Sequence, residues 1–278
     1  LATSQKNNES ISEKELKKIV KEVFKTEQRP QKNITLDFEH KLSMSALKFL
    51  QQSLKTFYKV ILDVSKKLFP NEYYDLMPQI FRLHTWVGYD VDGRGDIFWS
   101  DSFSKRLEVK ANQLSIYKEN ILEIIRKSKS INLKNKLKKI ESQISISLEL
   151  NLIALEKFSK KGFVDDYNAI KQVSNFLHKN KNKLLTDIDS LISTIENIIL
   201  NIKEKKFEEK PSLIDELIIL KIQMSNFGLA LGRTHLRLNA NQLNNAISKE
   251  IDLRGDPNDP SNKLTYLNII SKMIDNVK

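Results

Sequence analysis

FGLALGRTHLRLN, residues 227–239, decides how the chain folds, because it breaks a long succession of helical patterns. Leu229 and Leu231 alternate with smaller residues, and His235 and Arg237 continue on the same parity. Gly228 and Gly232 stand near the start. Alternation of this kind predicts a buried strand of about eight residues, within 228–238, whose carboxyl end presents polar groups. On its far side, 240–251 reads as helix again and 255–260 as a turn.

Working outward, the next change of texture lies at residues 85–101, TWVGYDVDGRGDIFWSD, with three glycines, four aspartates and both tryptophans of the chain. Three glycines within eight residues are too costly in backbone entropy for a helix. The stretch predicts a short strand leading into an acidic, glycine-rich loop, with Asp101 or Ser102 as the N-cap of a helix running to about residue 127.

Elsewhere the apolar spacing is helical. Residues 12–24 place Leu16, Ile19, Val20 and Val23 on one face, and 36–69 carry a long amphipathic pattern ending before Pro70. Residues 102–227 read as a run of helices, the clearest being Leu184, Leu185, Ile188, Leu191, Ile192, Ile195, Ile198, Ile199 and Ile202. Breaks fall at 161–162, 180–182 and 210–211. Such stripes normally pack against neighbouring helices. The expected fold is mainly α with one or two short buried strands, residues 1–10 being loose and the whole forming one fragment of a larger domain. The periodic run Leu264, Leu267, Ile270 and Ile274 meets the end of the sequence without a capping Gly or Pro, which reads as truncation.

Composition narrows the function. No apolar run approaches the roughly 20 residues of a membrane span, residues 1–8 do not resemble a secretory signal, and cysteine is absent. These features fit a cytoplasmic address without membrane contact. The net charge of +11 comes from 46 basic residues, mostly Lys scattered along helical faces, against 35 acidic ones. That pattern describes solvated faces rather than a stripe built for phosphates, so no nucleic-acid partner is expected. Arginine is scarce, and Arg82, Arg94, Arg106, Arg233 and Arg237 all lie in or beside the two unusual stretches. In a Lys-rich chain their planar, bidentate fork is the distinguishing chemistry.

Arg237 is the strongest single candidate, since a charge at the end of a buried strand is costly unless it meets an anion. Its alternative partner is an aspartate of the other stretch. Asp90, Asp92, Gly93 and Arg94 form a candidate site-organising loop, with His235 beside Arg237. Asp90, Asp92, Gly95 and Asp101 also match positions of a calcium loop, but Arg94 would place a cation in the cage. His84 and His235 lack the spacing of a zinc site, and no P-loop or nucleophile elbow is present. No metal ligands are assigned.

Taken together and in this order, the two stretches resemble phosphoenolpyruvate carboxylase. That family has a Trp followed by Gly-Gly-Asp-Arg-Asp-Gly-Asn. Here Trp86 is followed by Val87, Gly88, Tyr89, Asp90, Val91, Asp92, Gly93 and Arg94. The family's second motif is a Phe-Gly strand ending in Leu-Asp-Ile-Arg-Gln-Glu. Here Phe227, Gly228, Leu229 and Leu231 lead to His235, Leu236, Arg237, Leu238 and Asn239. Asp90, Asp92, Gly93 and Arg237 match directly, whereas Val91, Arg94, His235, Leu238 and Asn239 depart. A weaker echo lies at Glu27–Pro30 and Thr35–Asp37.

The resemblance implies a helix-rich fragment of a (β/α)-type barrel enzyme, a homotetramer when complete. It implies Mg²⁺ as cofactor and phosphoenolpyruvate and bicarbonate as substrates, giving oxaloacetate and phosphate for the tricarboxylic acid cycle. Arg237 would serve catalysis, and the metal-binding carboxylates, the catalytic His motif and the Gly-Arg-Gly-Gly loop would lie outside this stretch. A fragment of this kind is expected to be inactive alone. The alternative from another class is a non-catalytic helical-bundle interaction protein.

Overall fold

The computed structural model describes residues 12–25, 34–90, 97–158, 163–204, 209–237 and 244. It divides into two compact units, 1–38 and 39–278. The first contains α1 (Glu13–Lys25). Ser12 begins it with a capping box: the Glu15 amide donates to Ser12 Oγ at 3.3 Å, and the Ser12 amide donates back to Glu15 Oε2 at 3.1 Å. Leu16, Ile19 and Val20 are exposed.

The second unit is built on the helices α2 (Leu36–Leu68, whose first residues belong to the first unit), α3 (Trp99–Lys127), α4 (Ile131–Phe158), α5 (Tyr167–Lys179), α6 (Asp189–Lys203) and α7 (Pro211–Phe227). Short 3₁₀ turns occur at Tyr73–Asp75, Phe163–Asp165 and Lys181–Lys183. Helices α3 and α4 pair along their length as a hairpin, because only residues 128–130 connect them. Helix α7 is apolar on nearly every side, from Leu213 through Met224, and is correspondingly enclosed. Its neighbours in the core supply Tyr58 and Leu62 from α2, Leu114, Tyr117 and Ile121 from α3, Leu137 and Ile140 from α4, and Ile195 and Ile198 from α6. Pro211 opens α7 at its first turn, where its missing amide costs nothing.

A smaller core, made by Met44, Leu47, Val109, Ala230 and Leu231, holds the only sheet among the described residues. That sheet is two parallel strands, β1 (His84–Thr85) and β2 (Arg233–Thr234), with His84 opposite Arg233 and Thr85 opposite Thr234. The crossover from β1 to β2 consists of α3 to α7, so the strands are parallel as a βαβ connection requires.

Three expectations need correction. The strand read over 228–238 shrinks to two residues plus one bridge at Arg237. Gly228, at φ 60°, caps α7 and its amide donates to Met224 O at 2.9 Å, so 228–232 is a turn. Helix α3 starts at Trp99 with Phe98 as N-cap, and Asp101 sits three residues in, accepting from the Phe98 amide at 2.9 Å. The carboxylate thus supplies the acidic half of a capping box, not the cap itself. The aliphatic stripe from Leu184 becomes helical only at Asp189, because Lys181–Lys183 closes a 3₁₀ turn and Leu184 leaves it extended. The long pattern read over 36–69, by contrast, is a helix as expected, unbroken from Leu36 to Leu68. The readings over 1–10, 26–33, 91–96, 161–162 and most of 240–278 lie outside the described residues. Among the described residues no helix is long and apolar enough to cross a membrane.

Candidate functional site

The two unusual stretches meet. Arg233 N donates to Leu83 O at 2.8 Å and His235 N to Thr85 O at 3.0 Å, which is the slanted ladder of a parallel pair. After Thr85 the first chain makes a four-residue turn, closed by Tyr89 N to Trp86 O at 2.9 Å. Gly88 occupies that turn at φ +90°, and a Cβ there would lie 3.0 Å from Lys105 Cγ. Ser102 Oγ, in the first turns of α3, donates to Gly88 O at 2.8 Å and holds the turn down. Thr85 Oγ1 accepts from Val87 N at 3.2 Å and shares a hydrogen bond with Ser43 Oγ of α2 at 3.1 Å. Pairing then resumes, with Asp90 bridged to Arg237 and Arg237 N donating to Tyr89 O at 2.9 Å. Six residues on one chain, 85 to 90, therefore span the same ladder as four on the other, 234 to 237. This bulge carries Asp90 to Arg237.

Arg237 Nη1 stands 3.4 Å from Asp90 Oδ2. That is long for a charge-assisted hydrogen bond, and Arg237 is 61% exposed, against 21% for Asp90. The expectation that Arg237 is buried is therefore corrected: the strand ends before it, and its charge is solvated. An exposed pair of this kind contributes roughly 0–1 kcal/mol. The expected alternative partner, an aspartate of the other stretch, is the one observed. Asp90 Oδ1 is buried and has no hydrogen-bond partner among the described residues. Asp92, Gly93 and Arg94 lie outside the described residues.

His235 Nε2 lies 2.7 Å from His84 Nδ1, and the rings meet edge to face with centroids 4.6 Å apart. Sequence reasoning weighed the two histidines separately and missed the pair. The signal was there in parity, since 82, 84 and 86 alternate on one strand as 233, 235 and 237 do on the other. Partial desolvation, then the positive charge near His235, Arg233 and Arg82, holds the His84 imidazole below its ordinary 6.5. Arg82, His84, Trp86, Arg233, His235 and Arg237 are all exposed. The opposite side of the strands packs on α2 through Ser43 and Leu47, the latter close against Gly232.

Two buried groups beneath the turn were also missed. Tyr89 is 4% exposed, its hydroxyl has no hydrogen-bond partner among the described residues, and burial pushes it above the usual phenol range despite the opposing Arg106. His40 of α2 is buried with Nε2 3.3 Å from Glu108 Oε2 of α3. Neither residue belongs to a periodicity that marks it from sequence.

Among the described residues no three His, Cys, Asp or Glu side chains gather closely enough to hold a metal ion. Asp90 faces a guanidinium, and the ligands of the Mg²⁺ that the resemblance implies are expected outside this stretch. Asp101, the last position of the calcium-loop pattern, is engaged with the Phe98 amide.

The fold and site thus define a class: a helix-rich chain in which two distant stretches join as parallel strands bearing a cationic face. No family model, no curated protein and no solved structure matches it.

Proposed function

We propose that the chain is part of a phosphoenolpyruvate carboxylase-type enzyme, built on a (β/α)-type barrel, in which Arg237 clamps the phosphoryl or carboxylate oxygens of phosphoenolpyruvate. The observation that carries this reading is the pairing of the two motif-bearing segments. Residues 84–85 and 233–234, nearly 150 positions apart, lie side by side in parallel, joined by helices. Neighbouring strands of a βα barrel are arranged in this way, and catalytic groups there sit at the carboxyl ends of strands. Arg237 lies just past the end of β2, and Asp90 just past β1.

In this reading Asp90 orients the Arg237 guanidinium. Transfer of a phosphoryl group to bicarbonate redistributes charge over oxygens already present, so fixed cations facing those oxygens are what the reaction needs from the protein. The long 3.4 Å contact leaves Arg237 able to turn from Asp90 to a ligand. Mg²⁺, a tetrameric assembly and a cytoplasmic setting belong to the same proposal.

The test is bicarbonate-dependent oxaloacetate formation by the product of the full reading frame, compared with Arg237→Ala. Loss of about 10²–10³-fold in turnover is expected for removing one transition-state cation. Near-normal turnover in the variant would take Arg237 out of the mechanism, and absence of any oxaloacetate from the complete protein would end the carboxylase reading.

One observation favours the helical interaction protein instead. Along α2, Leu42, Phe49, Phe57, Val60, Val64 and Leu68 are all exposed. A stripe of that length is usually covered. The carboxylase reading assigns its cover to the remainder of the same domain, the rival to another protein.

A further inference from the structure

The exposed face of the two strands carries Arg82, His84, Trp86, Arg233, His235 and Arg237, with Asp90 as the one acidic side chain paired to it among the described residues. Neither Arg82 nor Arg233 has a carboxylate partner among the described residues. Three guanidinium-bearing side chains beside two imidazoles on a patch two strands wide repel one another, and a bound anion would relieve that repulsion. The histidine pair adds a constraint. At 2.7 Å, Nδ1 of His84 and Nε2 of His235 must have one hydrogen between them, so one ring donates and the other accepts. A second proton would put N–H against N–H and force the rings apart.

We infer that this face is a proton-linked site for a doubly charged oxyanion, in which the His84–His235 pair opens, takes one proton from solvent and turns both N–H groups to the ligand. The ligand class is a phosphate monoester or inorganic oxyanion. The inference deepens the phosphate-clamp reading of Arg237 and rests on it for the ligand class alone. The electron balance is simple: the lone pair on the accepting nitrogen is released from the inter-ring hydrogen bond and binds the incoming proton, and no covalent bond to the ligand forms. Among the described residues the groups facing the pair are Arg82 and Arg233 on the strands and the Arg237–Asp90 pair at their end. Helix α2, on the other side, meets the strands through Ser43 and Leu47.

The sign of the pH effect follows. Partial desolvation, and then the positive neighbours, keep a second proton off the inter-ring hydrogen bond when the site is empty, in line with the lowered His84 value. The anion stabilises the doubly protonated form, so affinity rises as pH falls through the imidazole range and fades above it. Ordinary phosphate titrates near neutrality itself, whereas sulfate does not. Sulfate is therefore the decisive probe.

The experiment is calorimetric titration of the 278-residue chain with sulfate at low ionic strength, in buffers of different ionisation enthalpy, at pH 6 and pH 8.5. Uptake of a proton at pH 6 is expected. His235→Gln and His84→Gln should each abolish the proton uptake and weaken pH 6 binding by roughly tenfold, about 1.4 kcal/mol, while changing pH 8.5 binding little. Both residues are exposed, and circular dichroism checks that the variants keep their helices. Sulfate binding without proton uptake, binding indifferent to either substitution, or no binding would each overturn the inference. The outcome is separable from the carboxylase reading. Proton-linked sulfate binding by a protein that forms no oxaloacetate leaves the histidine site standing and removes the enzyme, whereas oxaloacetate formation with proton-independent sulfate binding does the reverse.

Discussion

Gln51 is 2% exposed and ties three elements together. Its Nε2 donates to Gln113 Oε1 of α3 at 2.7 Å and to Leu231 O, just ahead of β2, at 3.0 Å. Gln51→Met keeps the volume and removes both donors, leaving two buried acceptors unsatisfied. At roughly 1–3 kcal/mol for each orphaned group, the cost should be about 2–4 kcal/mol, a large share of the ~5–15 kcal/mol that holds a domain together. Gln113→Met leaves the bond to Leu231 O in place and should cost about 1–2 kcal/mol. The double variant decides the matter. Gln51 Oε1 and Gln113 Nε2 already lack partners among the described residues, so replacing both amides removes these orphans and substitutes an apolar contact. Its cost should fall below the sum of the single costs by at least about 1 kcal/mol. Urea unfolding with a constant slope reads all three variants. Additivity within about 0.5 kcal/mol would show that the two amides do not act together, and the account of how α2 and α3 fix the entry to β2 would fail.

Gly88→Ala forces a side chain to φ +90° with its Cβ 3.0 Å from Lys105 Cγ. It should destabilise the unit by about 1–2 kcal/mol in urea unfolding, and no loss would mean the turn is not held in this form. Lys110 is held down to about 8 by burial, with Arg106 adding to the effect, against 10.5 for a free lysine. The unfolded chain therefore binds more protons between pH 8 and 10.5, and the penalty is complete below pH 8. Lys110→Met should stabilise the protein at pH 7, by an amount that shrinks as the pH approaches 10.5. A difference constant with pH would refute this.

Much of the fold was legible because helices announce themselves by period. The stripes of α2, α3 and α7 and the breaks near 180 and 211 follow from local spacing. The end at Phe227 is fixed by Gly228, which alone tolerates φ 60° without strain. The strand was overread for a physical reason. Leu229 and Leu231 alternate like strand residues, but Leu231 is buried by the turn, packing with Met44, Leu47 and Val109. Alternation registers burial on one side, and a tight turn pressed against a helix gives the same record. The error carried into the site: a strand of two residues ends before Arg237, so the argument from a buried charge had no basis. What parity did predict was that His235 and Arg237 share a face. Which residues they meet depends on register with a strand nearly 150 positions away, set by tertiary contacts rather than by local sequence.

Parallel strands are ordinarily covered on both faces, because their crossovers lay helices against them. Here α2 covers one face through Ser43, Leu47 and Met44, while the other bears Arg82, His84, Arg233 and His235 in the open. The interior of a barrel would present such an arrangement, with polar groups from several strands turned toward a common ligand. The exposed apolar stripe of α2 and the exposed charged face of the strands then share one explanation. In the proposed carboxylase the stripe would pack against outer helices of a larger domain, and the charged face would turn toward the substrate and further strands. A free-standing helical bundle accounts for the first and gives no reason for the second. Leu42 and Phe49 would serve either protein, whereas Arg82, Arg233 and the paired histidines are what the proposed anion site would use.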